Sequence, residues 1–247
     1  MTTATFRFYA RLNSFLSAER RGQSFACPCA RAATTKHMIE ALGVPHTEVA
    51  LVLVNGQPAD LERAIADGDR VAVYPRFEQL DVSSLSDLQS LPSGPPRFVA
   101  DAHLGGLARL LRMAGFDTLY DNGYEDAAMV ELANRDARVL LTRDRPLLMH
   151  RAVRHGCYVH AIKPQAQLRE LYQRLDLAAH ARPFSLCMNC NAPLHPVDKA
   201  TVLDRLPSRV QARHQRFLGC DRCGRIFWEG SHWQDMRALL ESMTFVD

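Results

Sequence analysis

The stretch RFVADAHLGGLARLLRMAGFDTLY, residues 97–120, predicts a strand, a helix and a second strand in that order. The apolar start of this stretch is typical of a buried strand, which runs directly into Asp101. From Leu104 to Met113 the apolar residues recur three or four positions apart, as on one face of a helix, and Gly115 ends that helix. Residues 117–120 predict the second strand. The stretch therefore indicates a β-α-β unit.

The same alternation continues to residue 180. The further predictions are a helix over 125–135, a strand over 138–142, a helix over 146–155, a strand over 158–162 and a helix beginning at Pro164. Strands that alternate with helices are typical of an α/β fold with a mainly parallel sheet and helices on both faces. We place this domain at residues 97–180.

Residues 1–80 predict a separate, small α+β unit. Its segments are strands over 5–9, 50–54 and 70–74, a helix over 34–42, and a hairpin turn at Asn55-Gly56. Residues 81–96 are rich in serine, proline and glycine without a clear period, which is typical of a linker.

Four cysteines in residues 181–247 predict a metal-binding module. They form two Cys-x-x-Cys pairs, Cys187 with Cys190 and Cys220 with Cys223. Two such pairs are typical of a tetrahedral zinc site, which is structural because four thiolates leave no open position. The 29 residues between the pairs indicate an inserted loop. The alternative is a set of reduced structural or redox cysteines.

Composition excludes several classes of protein. No apolar run approaches the roughly 18 residues of a membrane span, and the N-terminus shows no secretory signal. Seven cysteines, an odd number, favour a reducing cytoplasm over a disulfide framework. The net charge is only +3, but residues 205–225 contain six arginines and one acid. This cluster suits phosphate contacts, and the alternative is a solvated loop.

Three aspartates mark a second candidate metal site. Asp101 follows the first strand of the α/β domain, Asp144 follows the strand over 138–142, and Asp126 begins a helix. Ligands of parallel sheets bind beyond the carboxyl ends of the strands, and carboxylate oxygens suit Mg²⁺ or Mn²⁺. Each aspartate also has an alternative role, because acids at helix N-termini cap the helix or stabilise its dipole.

Arginines and aromatic residues are candidate contacts for phosphates and nucleic-acid bases. The predicted phosphate-binding residues are Arg109, Arg112, Arg143 and Arg145, with exposure to solvent as the alternative. The candidate base-stacking residues are Phe217, Phe227, Trp228 and Trp233, with the small core of the zinc module as the alternative.

Three separated motifs resemble the Mut-seven C-terminal RNase family, a PIN-like nuclease domain with a zinc ribbon. These motifs are residues 101–117, the segment Leu140-Leu-Thr-Arg-Asp-Arg145 and the two cysteine pairs. The resemblance covers residues 97–235 and implies a divalent-metal-dependent ribonuclease. It places the acids of the nuclease site on Asp101, Asp126 and Asp144, with Glu125 as the alternative to Asp126.

Residues 1–80 resemble the ubiquitin-like β-grasp domain that precedes this nuclease, which is related to small sulfur carriers. Segment 61–75 carries the resemblance. Sulfur carriers end in Gly-Gly, whereas here Pro75 continues into Arg76 and Phe77, so we expect a docking or RNA-positioning role instead. Cys27 and Cys29 are interpreted as free thiols in an insertion loop.

We therefore expect a cytoplasmic endoribonuclease or other RNA-processing nuclease. Asp101, Asp126 and Asp144 would hold Mg²⁺ or Mn²⁺, and a structural Zn²⁺ would bind the four cysteines. The expected partners are RNA and a protein bound by the β-grasp domain, but no membrane. The first alternative is a non-catalytic RNA- or ribosome-binding zinc-ribbon protein, and the second is a protein-interaction adaptor built around the β-grasp domain.

Overall fold

The computed structural model describes residues 2–77, Leu88, Pro92 and 94–244. The predicted linker over 81–96 lies mostly outside these residues. In the part of the chain that is described, no helix is both long and apolar enough to cross a membrane.

The N-terminal segment is a five-stranded sheet with one helix. Its elements are β1 (Thr3–Phe8), β2 (Phe25–Pro28), α1 (Thr35–Ala41), β3 (Val49–Val54), β4 (Gln57–Ala59) and β5 (Arg70–Pro75). The strand order is β2-β1-β5-β3-β4, in which β1 and β5 are parallel and the other pairs are antiparallel. This β-grasp arrangement confirms the predicted fold.

Local sequence explains the turns and caps of this domain. The Thr34 side chain accepts a hydrogen bond from the His37 N–H and so caps α1. Asn55 and Gly56 both have positive φ, as the two-residue turn between β3 and β4 requires. Phe6 and Phe8 alternate into a core that also contains Cys27 and Cys29.

Cys27 and Cys29 are free thiols, as predicted, but the predicted insertion loop is wrong. Cys27 lies in β2, and both side chains are buried. The Cys29 thiol donates weakly to the Cys27 carbonyl at 3.5 Å. The two thiols therefore act as small apolar core residues.

The middle of the chain alternates strands and helices. Its elements are β6 (Phe98–Ala100), α2 (Gly105–Met113), β7 (Thr118–Tyr120), α3 (Asp126–Arg135), β8 (Val139–Thr142), α4 (Arg145–Met149), β9 (Gly156–Tyr158) and α5 (Pro164–Leu175). β6 pairs with β7 and β8 pairs with β9, both in parallel. These parallel pairs confirm the predicted α/β class.

Two predicted elements differ in extent from the observed ones. The helix expected over 146–155 ends at Met149, and the Val153 carbonyl instead contacts His46 Nε2 at 3.1 Å. The strand expected over 158–162 ends at Tyr158, because the Glu170 carboxylate accepts hydrogen bonds from the backbone of His160 and Ala161.

The chain divides into two compact units, each built from separate segments. The first unit combines residues 1–93 with 125–159, and the second combines residues 94–124 with 160–247. Module boundaries at residues 80, 96 and 180 stay predictions.

Within the first unit, the β-grasp segment is packed directly against residues 125–159. Glu48 is fully buried, and its carboxylate accepts a hydrogen bond from the Tyr158 N–H at 2.7 Å. His46 is held between the Glu40 carboxylate and the Val153 carbonyl. The β-grasp domain is therefore part of a common core and not a tethered module.

Within the second unit, α2 packs against α5 around aromatic residues. Phe116 makes edge-to-face contacts with Phe98 and with Tyr172, at centroid distances of 6.0 and 6.3 Å. Gly115 has φ +92° and lies so close to the Arg182 carbonyl that a Cβ atom would be 2.2 Å from its oxygen. Glycine is therefore required directly after α2, because a side chain there would collide with the backbone of Arg182.

The C-terminal part of the second unit contains a three-stranded antiparallel sheet. Its elements are β10 (His195–Val197), α6 (Lys199–Val202), α7 (Ser208–Arg213), β11 (Phe217–Gly219), β12 (Ile226–Trp228) and α8 (Ser231–Thr244), with strand order β10-β11-β12. The two helices α6 and α7 occupy the long gap between the cysteine pairs. Val202, Leu206 and Phe217 form the small core of this part.

Candidate metal centre and RNA-binding residues

The four cysteines come together in one cluster. Their sulfur atoms all lie within 4.8 Å of one another, with 3.6 Å between Cys187 and Cys223 and 3.4 Å between Cys190 and Cys220. A tetrahedral zinc site with Zn–S bonds of about 2.3 Å has S–S edges of about 3.8 Å. The cluster therefore has the size and ligand chemistry to hold a metal ion.

Two equivalent turns position the sulfurs. Asn191 N donates to the Cys187 carbonyl, and Gly224 N donates to the Cys220 carbonyl in the same way. Asn191 and Gly224 both have positive φ, at 66° and 70°. Sequence analysis missed Asn191, although its place directly after a Cys-x-x-Cys pair matches that of Gly224.

Burial and mutual hydrogen bonding set the protonation of the thiols. Burial raises the pKa of the Cys187 thiol to about 12 and also raises the pKa of Cys220. Burial alone would raise the pKa of Cys223 as well, but hydrogen bonds from the Arg225 backbone and from the other thiols lower it to about 7. A divalent cation would displace the thiol protons, since metals bind the thiolate.

Arg112 supports the cysteine cluster, and its burial contradicts the prediction that it contacts RNA. The side chain is 5% exposed. Nε donates to the Thr118 carbonyl, and Nη1 donates to the carbonyls of Met188 and Asn189. Both carbonyls belong to the first cysteine turn, residues 187–191. Burial lowers the pKa of this guanidinium, which still stays charged at neutral pH. Its donors are thus committed to the protein.

Asn191 makes a second connection between the first cysteine turn and the α/β part of the same unit. Its side-chain oxygen accepts from Thr118 N at 3.0 Å, and its amide nitrogen donates to Asp117 at 2.6 Å. The Arg112 and Asn191 side chains therefore both hold the first cysteine turn next to β7.

Asp101 lies at the carboxyl end of β6 and is 9% exposed. Its backbone carbonyl accepts from Leu104 N at 2.8 Å. Among the described residues, its carboxylate accepts no hydrogen bond from the following helical turn. The alternative that Asp101 serves as a cap is therefore not supported, and its role as a metal ligand stays a prediction.

Asp144 and Asp126 are exposed acids of the first unit. Asp144 Oδ1 accepts from Leu147 N at a long 3.5 Å, and its backbone N donates to Thr142 Oγ1 at 2.9 Å. Asp126 is the first residue of α3, directly after Glu125. Both geometries agree with stabilisation of helix N-termini. The metal-binding roles of these two residues stay predictions.

The remaining predicted arginines differ in what they contact. Arg145 donates to the Phe15 carbonyl at 3.2 Å, and its guanidinium lies 5.0 Å from the Phe15 ring centroid. It therefore joins α4 to the β-grasp domain, which limits its availability to RNA. Arg109 and Arg143 are exposed.

All six arginines of residues 205–225 are exposed. Arg216 pairs with Glu229 at 2.8 Å, and Arg222 donates to the Cys190 carbonyl at 3.4 Å. Arg209 and Arg213 lie one turn apart on α7, and therefore on the same face. Residues 205–225 therefore present six exposed arginines against one exposed acid, Asp221.

Comparison with known proteins identifies the family. A family model described as the Mut7-C RNAse domain matches residues 96–240, which is 145 of the 247 residues. The chain belongs to the Mut7-C RNAse domain family. A second model, described as Mut7-C ubiquitin, matches residues 1–81. Both resemblances predicted from the sequence motifs are confirmed.

Individual proteins similar to this Mut7-C family member cover only part of it. The human "Exonuclease mut-7 homolog" is 33% identical over 107 residues, which are 41% of this chain and 12% of that protein. Small archaeal modifier protein 1 of H. volcanii is 24% identical, and the match covers 31% of this chain and all of that one, with a TM-score of 0.26. A putative molybdopterin converting factor subunit 1 of Pyrococcus furiosus is 16% identical over 31% of this chain and all of that one, with a TM-score of 0.25.

Proposed function

We propose that this protein is a divalent-metal-dependent ribonuclease. The observation that carries the proposal is the Mut7-C RNAse match over residues 96–240, which contains Asp101, Asp126, Asp144 and all four clustered cysteines. The human relative is named an exonuclease, and its similarity falls on 41% of this chain. These findings support nuclease activity, and the description of the family as an RNAse domain supports the proposal that the substrate is RNA.

Asp101, Asp126 and Asp144 are proposed as the ligands of the catalytic ion. Asp101 follows β6 directly and Asp144 follows β8 by one residue, which are the positions where parallel sheets bind ligands. Carboxylate oxygens fit Mg²⁺ or Mn²⁺, whereas zinc prefers nitrogen and sulfur. A bound ion would act as a Lewis acid on the phosphodiester and lower the pKa of a water molecule. Glu125 stays the alternative to Asp126.

The four cysteines are proposed to hold a structural Zn²⁺. Four thiolate ligands complete its coordination, so this ion would not take part in hydrolysis. Arg112 and Asn191 attach the first cysteine turn to α2 and β7. Zinc would therefore stabilise the second unit as a whole and keep the arginines of residues 205–225 in place.

Exposed arginines are proposed to hold the RNA backbone. Arg109, Arg143 and the arginines of residues 205–225 supply the cationic groups that phosphate binds. Because these contacts are made to the backbone, they position RNA without reading its sequence.

Cleavage of labelled RNA by the purified protein tests the proposal. The assay compares added Mg²⁺, added Mn²⁺ and no added divalent ion, with the zinc content measured in each sample. We expect Asp101→Asn and Asp144→Asn to reduce the cleavage rate by roughly 10²-fold or more, because each removes charge from the catalytic ion site. The matched control is Asp204→Asn, an exposed acid on the C-terminal surface, which should leave cleavage unchanged.

Two further comparisons sharpen the result. Circular and linear RNA of the same sequence separate endonucleolytic from exonucleolytic cleavage, and a DNA strand of that sequence tests sugar selectivity. Intact RNA binding without cleavage under any metal condition would overturn the proposal and favour the non-catalytic RNA-binding protein.

A further inference from the structure

A groove in the second unit is lined by both tryptophans of the chain. It is formed by α2, the first cysteine turn, β12 and the start of α8, and it has a volume of about 330 Å³. The residues that matter here are Arg109, Met188, Phe227, Trp228 and Trp233. The volume is at the lower end of the roughly 300–1,000 Å³ typical of small-ligand sites. We call it the tryptophan groove.

The tryptophan rings are held in place while remaining partly exposed. Phe184 stacks on Trp233 with 3.6 Å between ring centroids, and Trp228 packs on the core around Phe217. A Cβ atom at Gly230 would lie 3.1 Å from Trp228 Nε1, so glycine leaves room for this indole. Rings fixed by their neighbours lose little conformational entropy when a ligand stacks on them.

The charge of the tryptophan groove favours an anionic ligand. Arg109 is exposed and is the charged residue of a lining that, in the described residues, includes no acid. The lining also includes Ser231, the first residue of the 14-residue helix α8, and the start of a helix favours negative charge. A purely apolar ligand would use the aromatic rings but gain nothing from these two features.

We propose that the tryptophan groove binds one unpaired nucleotide of the RNA substrate. Its base stacks on the tryptophan rings, and a neighbouring phosphate pairs with Arg109. The inference rests on the proposed ribonuclease function and adds that the substrate must present a single-stranded nucleotide. Base-paired RNA keeps its bases stacked on one another and cannot enter the groove in this way.

Tryptophan fluorescence reports on this groove directly, because Trp228 and Trp233 are the two tryptophans of the chain. The titration uses the zinc-loaded 247-residue chain without added Mg²⁺ or Mn²⁺, so that RNA binds without being cut. We expect a single-stranded oligonucleotide to quench the emission and a blunt duplex of equal length to quench it much less. Trp228→Phe and Trp233→Phe each leave one tryptophan. The variant whose emission is still quenched identifies the ring that contacts the base.

Substitutions separate stacking from folding. Trp233→Leu keeps an apolar side chain but loses the aromatic face, so we expect Kd for single-stranded RNA to rise about 5- to 150-fold. Trp233→Phe should retain most of the affinity. Arg109→Gln should weaken binding and reduce its salt dependence, whereas Arg169→Gln, an exposed arginine of α5, should do neither.

The outcomes distinguish this inference from the proposed function. Cleavage by the wild-type protein, with no quenching by single-stranded RNA and with unchanged Kd in Trp233→Leu, would overturn the groove proposal and leave the ribonuclease standing. Quenching and weakened binding in Trp233→Leu, without cleavage by the wild type under any metal condition, would support the groove and overturn the ribonuclease.

Discussion

At the scale of single residues, Arg112 shows how a surface prediction becomes a structural role. It lies three positions after Arg109 on α2, yet Arg109 is exposed and Arg112 is buried. The difference arises because the first cysteine turn, 76 residues further along the chain, covers Arg112 and offers its carbonyls. No local pattern in residues 105–113 contains that information.

Arg112→Gln should destabilise the second unit. The shorter side chain cannot reach all three carbonyls, and an unsatisfied buried polar group costs about 1–3 kcal/mol. We expect the free energy of unfolding in denaturant to fall by that amount, and zinc affinity, measured by competition with a chelator, to fall about 10- to 100-fold.

Arg109→Gln is the matched control for this stability measurement, because an exposed arginine of the same helix should change stability by no more than about 0.5 kcal/mol. If Arg112→Gln kept its stability but lost affinity for RNA, the structural role would be contradicted. The original prediction that Arg112 binds phosphate would then be supported.

At the scale of elements, the sequence predicted those parts that local chemistry decides. The helix expected over 34–42 is observed as α1, and Asn55-Gly56 forms the expected turn. The α4 prediction was too long because the Val153 carbonyl is held by His46, 107 residues earlier. Contacts between residues so far apart in the chain override helix propensity. They cannot be recognised from the spacing of neighbouring apolar residues.

The buried carboxylate of Asp69 connects the turn between β3 and β4 to the segment between β4 and β5. It accepts hydrogen bonds from Asn55, Arg63 and the Ala66 N–H, all at 2.7–2.8 Å. Burial alone would raise the pKa of Asp69, but these donors lower it below its ordinary value. The carboxylate is therefore more acidic in the folded than in the unfolded chain.

The sign of this pKa shift predicts how stability depends on pH. An aspartate with a lowered folded pKa stabilises the fold above its unfolded pKa of about 3.9, and this contribution is lost as the pH falls through the folded pKa. We expect Asp69→Asn to be less stable than wild type by about 1–3 kcal/mol at pH 7. The gap should shrink as denaturation is repeated down to pH 3, and a gap independent of pH would contradict the ionised role.

At the scale of the whole molecule, the β-grasp domain is an integral part of the first unit. The two family models match residues 1–81 and 96–240 separately, but Glu48 and His46 bind the backbone of residues 153–158. The sequence predicted both domains but not this packing, because it depends on single side chains more than 100 residues from their partners. A protein partner of the β-grasp domain stays a prediction that concerns its remaining surface.

Removal of residues 1–80 should therefore damage the nuclease part directly. We expect residues 81–247 to unfold without cooperativity in calorimetry and to lack cleavage activity, because the Tyr158 N–H and the Val153 carbonyl lose their buried partners. A truncated chain that unfolds cooperatively and cleaves RNA like the full chain would show that the β-grasp domain is an independent module.

Glu48 tests the same packing in the intact chain. Glu48→Ala leaves the Tyr158 N–H without an acceptor, whereas Glu48→Gln keeps an amide oxygen there. We expect the alanine variant to lose about 1–3 kcal/mol and the glutamine variant to lose less. Equal losses would mean that this hydrogen bond does not hold the two segments together.

The division of each unit into separate segments also has a consequence for synthesis on the ribosome. The β-grasp strands are translated by residue 75, but the first unit is complete only when residue 159 has been made. At roughly 5–20 residues per second, the nascent β-grasp sheet waits about 4–17 s with the surface around Glu48 uncovered. During that interval the chain has already begun its second unit at residue 94. The first unit therefore cannot be completed before part of the second unit has been synthesised.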